Sequence, residues 1–290
     1  MHTYLKLTCL FFCLLCVSCQ KKDKNMDVKI VFLHHSTGGV IWRGGHNPFS
    51  HKVIRKLSPK LSDVIDRRAV LPVLFKLYNK ENSTEYSIEE REFPKEKPYG
   101  WKNYPYDYYN IWVKNAGDVP YMDEPTLEIL TRQYQVIIFK HCFPVSNIKP
   151  DQGNGDIDSE IRTLANYKMQ YIALRDKLHE FPDTKFILFT GAVQTKANVM
   201  EEDAIRAKEF YQWVLNEWDL PDDNIYLWDL YGLQTEGGLY FKDEFAVSPE
   251  NSHPNKAFAS RTVKLLFYRI IDIIQNDGRS TLLTGDRKSS

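Results

Sequence analysis

The sequence predicts an α/β protein built on a doubly wound, mostly parallel sheet with helices on both faces. Short, nearly continuous apolar runs alternate along the chain with longer segments whose apolar residues recur on one helical face. Runs of the first kind are typical of strands covered on both faces. Segments of the second kind are long enough to serve as crossover helices between parallel strands.

Four apolar runs are predicted strands: VKIVFLH (28–34), QVIIFKH (135–141), KFILFTG (185–191) and NIYLWDL (224–230). One-faced apolar patterns predict helices over 157–178, 201–218 and 255–275, and Pro254 suits the first turn of the last helix. We expect the strands to pair in parallel, with Val31 and Ile137 on parallel neighbours. The loops after the first and last strands should then open on the same edge of the sheet.

The 290 residues are predicted to form one domain over 28–275. A long mixed segment, about 44–117, is interpreted as an elaborated crossover after the first strand, because no clean linker flanks it. The polar end of the chain, 276–290, is predicted to be disordered.

The first nineteen residues, MHTYLKLTCLFFCLLCVSC, indicate export. Their apolar run is too short to span a bilayer comfortably, which favours a signal peptide over 1–18. The ending LLCVSC resembles a bacterial lipobox, although Cys16 stands where leucine is more usual. That resemblance implies a lipidated Cys19, a tether over 19–27 and a lipid anchor in the cell envelope, in the outer membrane of a Gram-negative bacterium. An ordinary cleaved signal peptide is the alternative.

Charge and cysteine content exclude several classes of protein. The formal net charge is zero and no basic block appears, so we expect no nucleic-acid partner. Four of the five cysteines lie at or before position 19, which leaves Cys19 and Cys142 in the mature chain. With Cys19 lipidated, no internal disulfide is possible. The scattered histidines show no metal-ligand spacing, and we expect no metal and no cofactor.

Polar residues gather after each predicted strand, in HHSTGG (34–39), HCFPVSN (141–147), GAVQTKAN (191–198) and SPENSHPNKAF (248–258). Sites in doubly wound sheets form at the carboxyl ends of the strands. A serine early in the chain and a histidine late in it suit a serine hydrolase, in which the histidine activates the hydroxyl and an acid orients the histidine. The simpler alternatives are a helix-capping serine and a histidine in a turn.

Over residues 27–275 these blocks resemble the SGNH/GDSL hydrolase superfamily. In that family the nucleophile follows the first strand in a Gly-Asp-Ser-like block, and the histidine lies in Asp-x-x-His-Pro before the last helix. Ser36 matches the first block, with His34 and His35 in place of Gly-Asp. The segment ENSHPN (250–255) matches the second, with Glu250 in place of the aspartate.

The resemblance implies that Ser36 is the nucleophile, that His253 is the base and then the acid, and that Glu250 orients His253. Asp229 and Asp243 are rival orienting acids.

The two middle blocks of the family depart here. For the oxyanion we expect backbone N–H groups near Ser36 and at Gly117 in NAGDVP, although alignment on the asparagine places the family's glycine at a proline, which has no N–H. The Gly-x-Asn-Asp block is replaced by KHCFPVSN, where Ser146 or Asn147 would supply the donor. His35 is either a binding residue or a buried core histidine, and Cys142 is interpreted as a small core residue.

The resemblance implies an exported esterase whose substrate is a carbohydrate ester, specifically an acetyl ester, or another small ester. Two alternatives stay open: a glycan-binding lipoprotein with an impaired site, and an acyltransferase that uses the same serine. The stretch PYGWKNYPYDYYNIW (98–112) either stacks on sugar rings or packs the insertion, and packing is favoured.

Overall fold

A computed structural model, which describes residues 27–45, 69–100 and 102–288, shows five parallel strands in one sheet within these ranges. They are β1 (Asp27–His34), β2 (Glu85–Glu92), β3 (Val136–Phe139), β4 (Lys185–Phe189) and β5 (Ile225–Trp228), in the order β2-β1-β3-β4-β5. Val31 on β1 lies opposite Ile137 on the parallel β3, which confirms the predicted pairing. Strand β3 is buried throughout and β4 is buried from Phe186 onward, as their apolar runs indicate.

The sequence missed β2, which lies inside the segment interpreted as an insertion. Its sequence, EYSIEERE, is mostly charged and polar, and its residues are exposed or half-buried along their whole length. It pairs with β1 only, at the edge of the sheet, where charged side chains discourage further pairing. An edge strand of this kind lacks the apolar run by which the other strands were predicted.

The α-helices in the described ranges are α1 (Ser36–Trp42), α2 (Val70–Asn82), α3 (Pro105–Tyr109), α4 (Leu127–Thr131), α5 (Leu164–His179), α6 (Glu201–Trp213), α7 (Leu230–Thr235) and α8 (Lys256–Asn276). Helix α8 packs on both α1 and α2, and α5 packs on α3 and α6. Strand order reverses direction at β1, so right-handed crossovers place these two groups on opposite faces of the sheet. The fold is therefore the predicted doubly wound α/β sheet.

A short antiparallel hairpin precedes the last helix, with strands β6 (Ala246–Ser248) and β7 (Asn251–Pro254). Pro254 therefore ends a strand, whereas the sequence predicted it in the first turn of α8. Asn255 caps the helix, because its side chain accepts the backbone N–H of Phe258 at 2.9 Å.

The end of the chain differs from the predicted disordered tail. After α8, residues 277–288 fold back onto the sheet and the helix. The indole N–H of Trp228 donates to the carbonyl of Thr284 at 2.9 Å, and the carboxylate of Asp272 accepts the backbone N–H of Thr281 at 2.7 Å. The polar composition of this segment conceals the backbone hydrogen bonds that order it.

The predicted signal peptide, Cys19 and nearly all of the predicted tether lie outside the described residues, as do residues 46–68 and 101 of the insertion. Among the helices that are described, none has the length and apolar character needed to cross a membrane.

Candidate active site

Ser36 begins α1 directly after β1, at the carboxyl edge where the strand order reverses. This is where doubly wound sheets form their binding crevice. The turn is tight: a Cβ on Gly38 would lie 2.4 Å from the Cβ of His34, so the helix approaches the end of β1 only because glycine stands there. His35, and not Ser36, occupies the capping position of α1. Ser36 is half-buried.

Cys142 is the neighbour of Ser36 that the sequence did not place in the site. Its Sγ lies 4.0 Å from the Oγ of Ser36. Cys142 follows β3 after two residues, and its backbone N–H donates to the carbonyl of Asn103 at 2.8 Å, which ties the aromatic insertion to this edge. The sequence signal for a place in the site was the position of Cys142 directly after the second predicted strand. The simpler interpretation of the sequence was that Cys142 is a small core residue.

His253 lies on β7, and strand β7 packs against α1. Its ring meets the ring of Phe143 edge to face, with centroids 5.2 Å apart. Because Phe143 follows Cys142 in the chain, this contact brings His253 to the same edge as Ser36. The structure thus brings together the two segments that the sequence predicted would supply nucleophile and base.

The orientation of the His253 ring is set by Asn251. The Nδ1 of His253 lies 2.8 Å from the Oδ1 of Asn251, and the same oxygen accepts the backbone N–H of His253 at 3.2 Å. An amide oxygen only accepts, so Nδ1 carries the proton and the lone pair of the neutral ring lies on Nε2.

The strand that carries His253 is anchored through the residue before it. The buried hydroxyl of Ser252 accepts the backbone N–H of Thr195 at 3.0 Å and lies 2.9 Å from the hydroxyl of Thr195. Asn198 also donates to the Ser252 hydroxyl, at 3.2 Å. The loop after β4 therefore holds β7 in position at the edge of the sheet. These hydrogen bonds link residues that are far apart in the sequence.

Two of the three candidate acids, Glu250 and Asp229, hydrogen-bond to groups other than His253. Glu250 is exposed, and its carboxylate lies 3.1 Å from the hydroxyl of Ser248, which donates to it. Asp229 caps α7, accepting from the Thr190 hydroxyl at 2.7 Å and from a backbone N–H of the helix. Asp243 is exposed. Asn251 therefore makes the contact with Nδ1 that the sequence predicted for Glu250.

The prediction that Gly117 supplies an oxyanion donor is wrong. Its N–H donates to a carboxylate oxygen of Glu128 at 3.1 Å, and Glu128 pairs with Lys177 at 2.7 Å. Lys177 lies in the last turn of α5, which runs back to the start of β4. Gly117 therefore lies at the amino edge of the sheet, opposite Ser36.

Ser146 and Asn147 do lie at the carboxyl edge, where they join the loops after β3 and β4. The Ser146 hydroxyl is buried and donates to the carbonyl of Ala192. The side-chain oxygen of Asn147 accepts from Gln194 at 2.9 Å. Ser146 is thus committed to holding the loops together, whereas Asn147 uses only its acceptor oxygen in this contact.

His35 is the buried core histidine of the two predicted alternatives. Its Nε2 lies 2.7 Å from the carbonyl of Pro94, and burial lowers the pKa of His35 to about 3, with the nearby charge of Lys140 acting in the same direction. His34 is buried as well, with Nε2 2.9 Å from a carboxylate oxygen of Glu90. In the described part of the chain, no group of three or more His, Cys, Asp or Glu residues is placed to hold a metal ion.

Lys140 is a buried cation directly after β3 that the sequence did not single out. Its Nζ donates to the carbonyl of His141 at 2.6 Å, and the Tyr108 hydroxyl donates to the Lys140 carbonyl at 2.9 Å. Burial lowers the pKa of Lys140. Tyr108 and Trp112 from the aromatic stretch are fully buried, which agrees with the packing role favoured from the sequence.

Comparison with known proteins adds one match. No protein-family model and no curated protein sequence matches the chain. Among solved structures, one match is a carbohydrate esterase whose active site is described as displaying divergent catalytic and non-catalytic binding functions. It is 13% identical, covers 87% of this chain and 70% of its own, and gives a TM-score of 0.36. A likeness this weak does not bear on activity, and the fold class rests on the strand order itself.

Proposed function

We propose that the protein is a serine esterase of SGNH type that removes acyl groups, specifically acetyl groups, from carbohydrate esters. One observation carries the proposal: the turn that holds Ser36 and the strand that holds His253 meet at one edge of the sheet. Ser36 borders Cys142, and His253 packs on the adjacent Phe143. A hydroxyl and an imidazole at one crevice are the parts that acyl transfer to serine requires.

In the proposed mechanism, the Oγ of Ser36 attacks the ester carbonyl carbon while Nε2 of His253 takes the hydroxyl proton. Collapse of the tetrahedral intermediate breaks the ester C–O bond, and His253 returns the proton to the departing sugar hydroxyl. Water then attacks the acyl-serine while His253 takes its proton; the bond between the acyl carbon and the serine oxygen breaks, the acid leaves, and His253 returns the proton to Ser36. Backbone N–H groups near Ser36, with Asn147, are the proposed oxyanion donors.

A glycan-binding protein with an impaired site is the second candidate. Two observations favour it: the N–H of Gly117 is committed at the far edge of the sheet, and an amide contacts Nδ1 of His253. Loss of a single oxyanion donor costs on the order of 100- to 1,000-fold in rate.

The test separates the two candidates with a serine-directed fluorophosphonate probe and an aryl acetate. We expect wild type to take the label and to hydrolyse 4-nitrophenyl acetate, and Ser36→Ala to lose both. Ser87→Ala, which removes an exposed serine on β2, is the matched control and should keep both. An unlabelled wild type, or a Ser36→Ala protein with full turnover, would exclude the esterase.

We also propose that Cys19 is lipidated and anchors the protein in the cell envelope, in the outer membrane of a Gram-negative bacterium. The lipobox-like LLCVSC supports this. Labelled palmitate should enter wild type and Cys142→Ala but not Cys19→Ala. Equal incorporation into the Cys19→Ala protein would refute the lipid anchor.

A further inference from the structure

A cavity of about 410 Å³ borders Pro144, on the segment that follows β3. Its walls are formed by Tyr104, Pro144 and Ile161 and by four charged residues: Lys102, Lys149, Glu160 and Arg162. Pro144 directly follows Phe143, whose ring packs on His253. The cavity therefore adjoins the segment that contacts His253.

The charge of the cavity is mainly set by two groups. The guanidinium of Arg162 lies 3.4 Å from the carbonyl of Pro144, and no carboxylate within the described ranges lies at ion-pair distance from it. Lys149 pairs with Asp203, but Asp203 also pairs with Arg206 at 2.7 Å, so one carboxylate serves two cations. Arg162 therefore keeps its positive charge, and the group of Lys149, Asp203 and Arg206 has one more cation than carboxylates.

The third cation that lines the cavity is Lys102, and the carboxylate of Glu160 balances its charge. It pairs with Glu160, whose backbone carbonyl accepts the Tyr104 hydroxyl at 3.1 Å. The excess of positive charge in this cavity therefore lies at Arg162 and Lys149, on the side of Pro144.

The rest of the wall is apolar and open. Ile161 is 52% exposed, although it is a large aliphatic residue, and it lies between Glu160 and Arg162 on the cavity rim. Pro144 and the ring of Tyr104 face the same space. Apolar walls with a few charged groups at one end are typical of small-molecule sites, and they suit the C–H faces of a sugar ring with an anionic substituent.

We propose that this cavity binds the carboxylate of an acidic sugar, held by Arg162 and Lys149, so that the substrate class is an ester of a uronate-bearing glycan. The inference rests on the proposed esterase function for its catalytic part. The planar guanidinium of Arg162 matches a carboxylate with two parallel hydrogen bonds, and Lys149 adds a point charge.

The catalytic test compares three substrates: acetylated oligogalacturonide, acetylated xylooligosaccharide and 4-nitrophenyl acetate. For Arg162→Gln we expect kcat/KM on the acidic substrate to fall by about 10- to 100-fold, as for loss of a charged hydrogen bond. The neutral substrate and the aryl ester should be unaffected. Arg162→Lys should restore part of the loss. Arg132→Gln, which removes an exposed arginine paired with Asp118, is the matched control.

A binding test does not depend on turnover. Unacetylated oligogalacturonide is titrated calorimetrically into Ser36→Ala and into Ser36→Ala with Arg162→Gln. We expect binding to the first, weakened about tenfold or more in the second, because a charged hydrogen bond is lost. Failure of wild type on the aryl ester with this binding pattern intact would remove the esterase and keep the subsite. Equal binding by both proteins, or preference for a sulfated or neutral oligosaccharide, would overturn the carboxylate subsite.

Discussion

The Nδ1 of His253 lies 2.8 Å from the side-chain oxygen of Asn251, two residues earlier on the same strand. An amide in this position fixes the tautomer and orientation of the ring. Unlike a carboxylate, it brings no negative charge to stabilise the imidazolium that forms when histidine takes a proton. With His253 as the base, Asn251 orients the ring and contributes no negative charge to the imidazolium.

We expect Asn251→Ala to lower kcat on 4-nitrophenyl acetate by about tenfold or more, since part of the 10²- to 10⁴-fold value of general base catalysis is lost with a misaligned ring. Asn251→Asp should retain or raise kcat, because a carboxylate orients the ring and adds charge. Glu250→Gln should have the smallest effect, since Glu250 is exposed. A larger loss in Glu250→Gln than in Asn251→Ala would return the orienting role to Glu250.

The contrast between Glu250 and Asn251 illustrates what the sequence could predict. The Glu-x-x-His-Pro spacing located the histidine segment, because all residues of that motif are close together in the sequence. The side chain that reaches Nδ1 depends on how β7 is positioned by the hydrogen bonds between Thr195 and Ser252, and no local pattern reports contacts between residues so far apart. The same limit explains Cys142, whose approach to Ser36 depends on the pairing of β1 with β3.

His35 should make stability fall in acid. Burial lowers the pKa of His35 to about 3 in the folded protein, whereas the pKa of a free histidine is about 6.5. Between these values the unfolded chain holds a proton that the folded protein does not. The stabilisation is therefore fully present above pH 6.5 and is lost as the pH falls towards 3.

The measurement is urea unfolding of wild type and His35→Gln at pH 7 and at pH 4.5. The free energy of unfolding of wild type should decrease by about 1 to 3 kcal/mol more than that of the variant between the two values. Both proteins should still lose some stability at pH 4.5, because burial also lowers the pKa of His141. Parallel curves for the two proteins would mean that His35 titrates normally in the folded state.

Residues 277–288 should contribute to stability, against the expectation from their composition. Ending the chain after Asn276 removes the acceptor of the Trp228 indole N–H and the acceptor of the Asp229 backbone N–H. It also removes Gly278, whose carbonyl accepts from Arg269 at 2.8 Å. We expect a loss of about 2 kcal/mol or more, at roughly 1 kcal/mol for each hydrogen bond.

Thermal unfolding checks this loss, with a chain ending after Lys288 as the matched control. The control removes only two serines and should unfold at the wild-type temperature. A chain ending after Asn276 that unfolds at the same temperature as the control would show that the contacts with Thr284 and Gly278 add nothing.

The fold class was accessible from the sequence because β1, β3, β4 and β5 are buried on both faces and therefore appear as apolar runs. Strand β2 could not be predicted in this way. An edge strand pairs through its backbone with one neighbour only, so its side chains can be charged, as they are in EYSIEERE. The prediction for Gly117 was wrong for a related reason: a short motif that contains asparagine does not indicate at which edge of the sheet its loop lies.

Ser36 and His253 should behave as one catalytic unit. A serine without its base is a weak nucleophile, and a base without its serine has nothing to activate. Removing either should therefore cost nearly as much as removing both, and effects of this kind are strongly non-additive. The measurement is hydrolysis of 4-nitrophenyl acetate by Ser36→Ala, His253→Ala and the double variant, with thermal unfolding of each to confirm an intact fold. Losses that multiply in the double variant would mean that the two residues act independently, and the contact of His253 with Phe143 would then be packing alone.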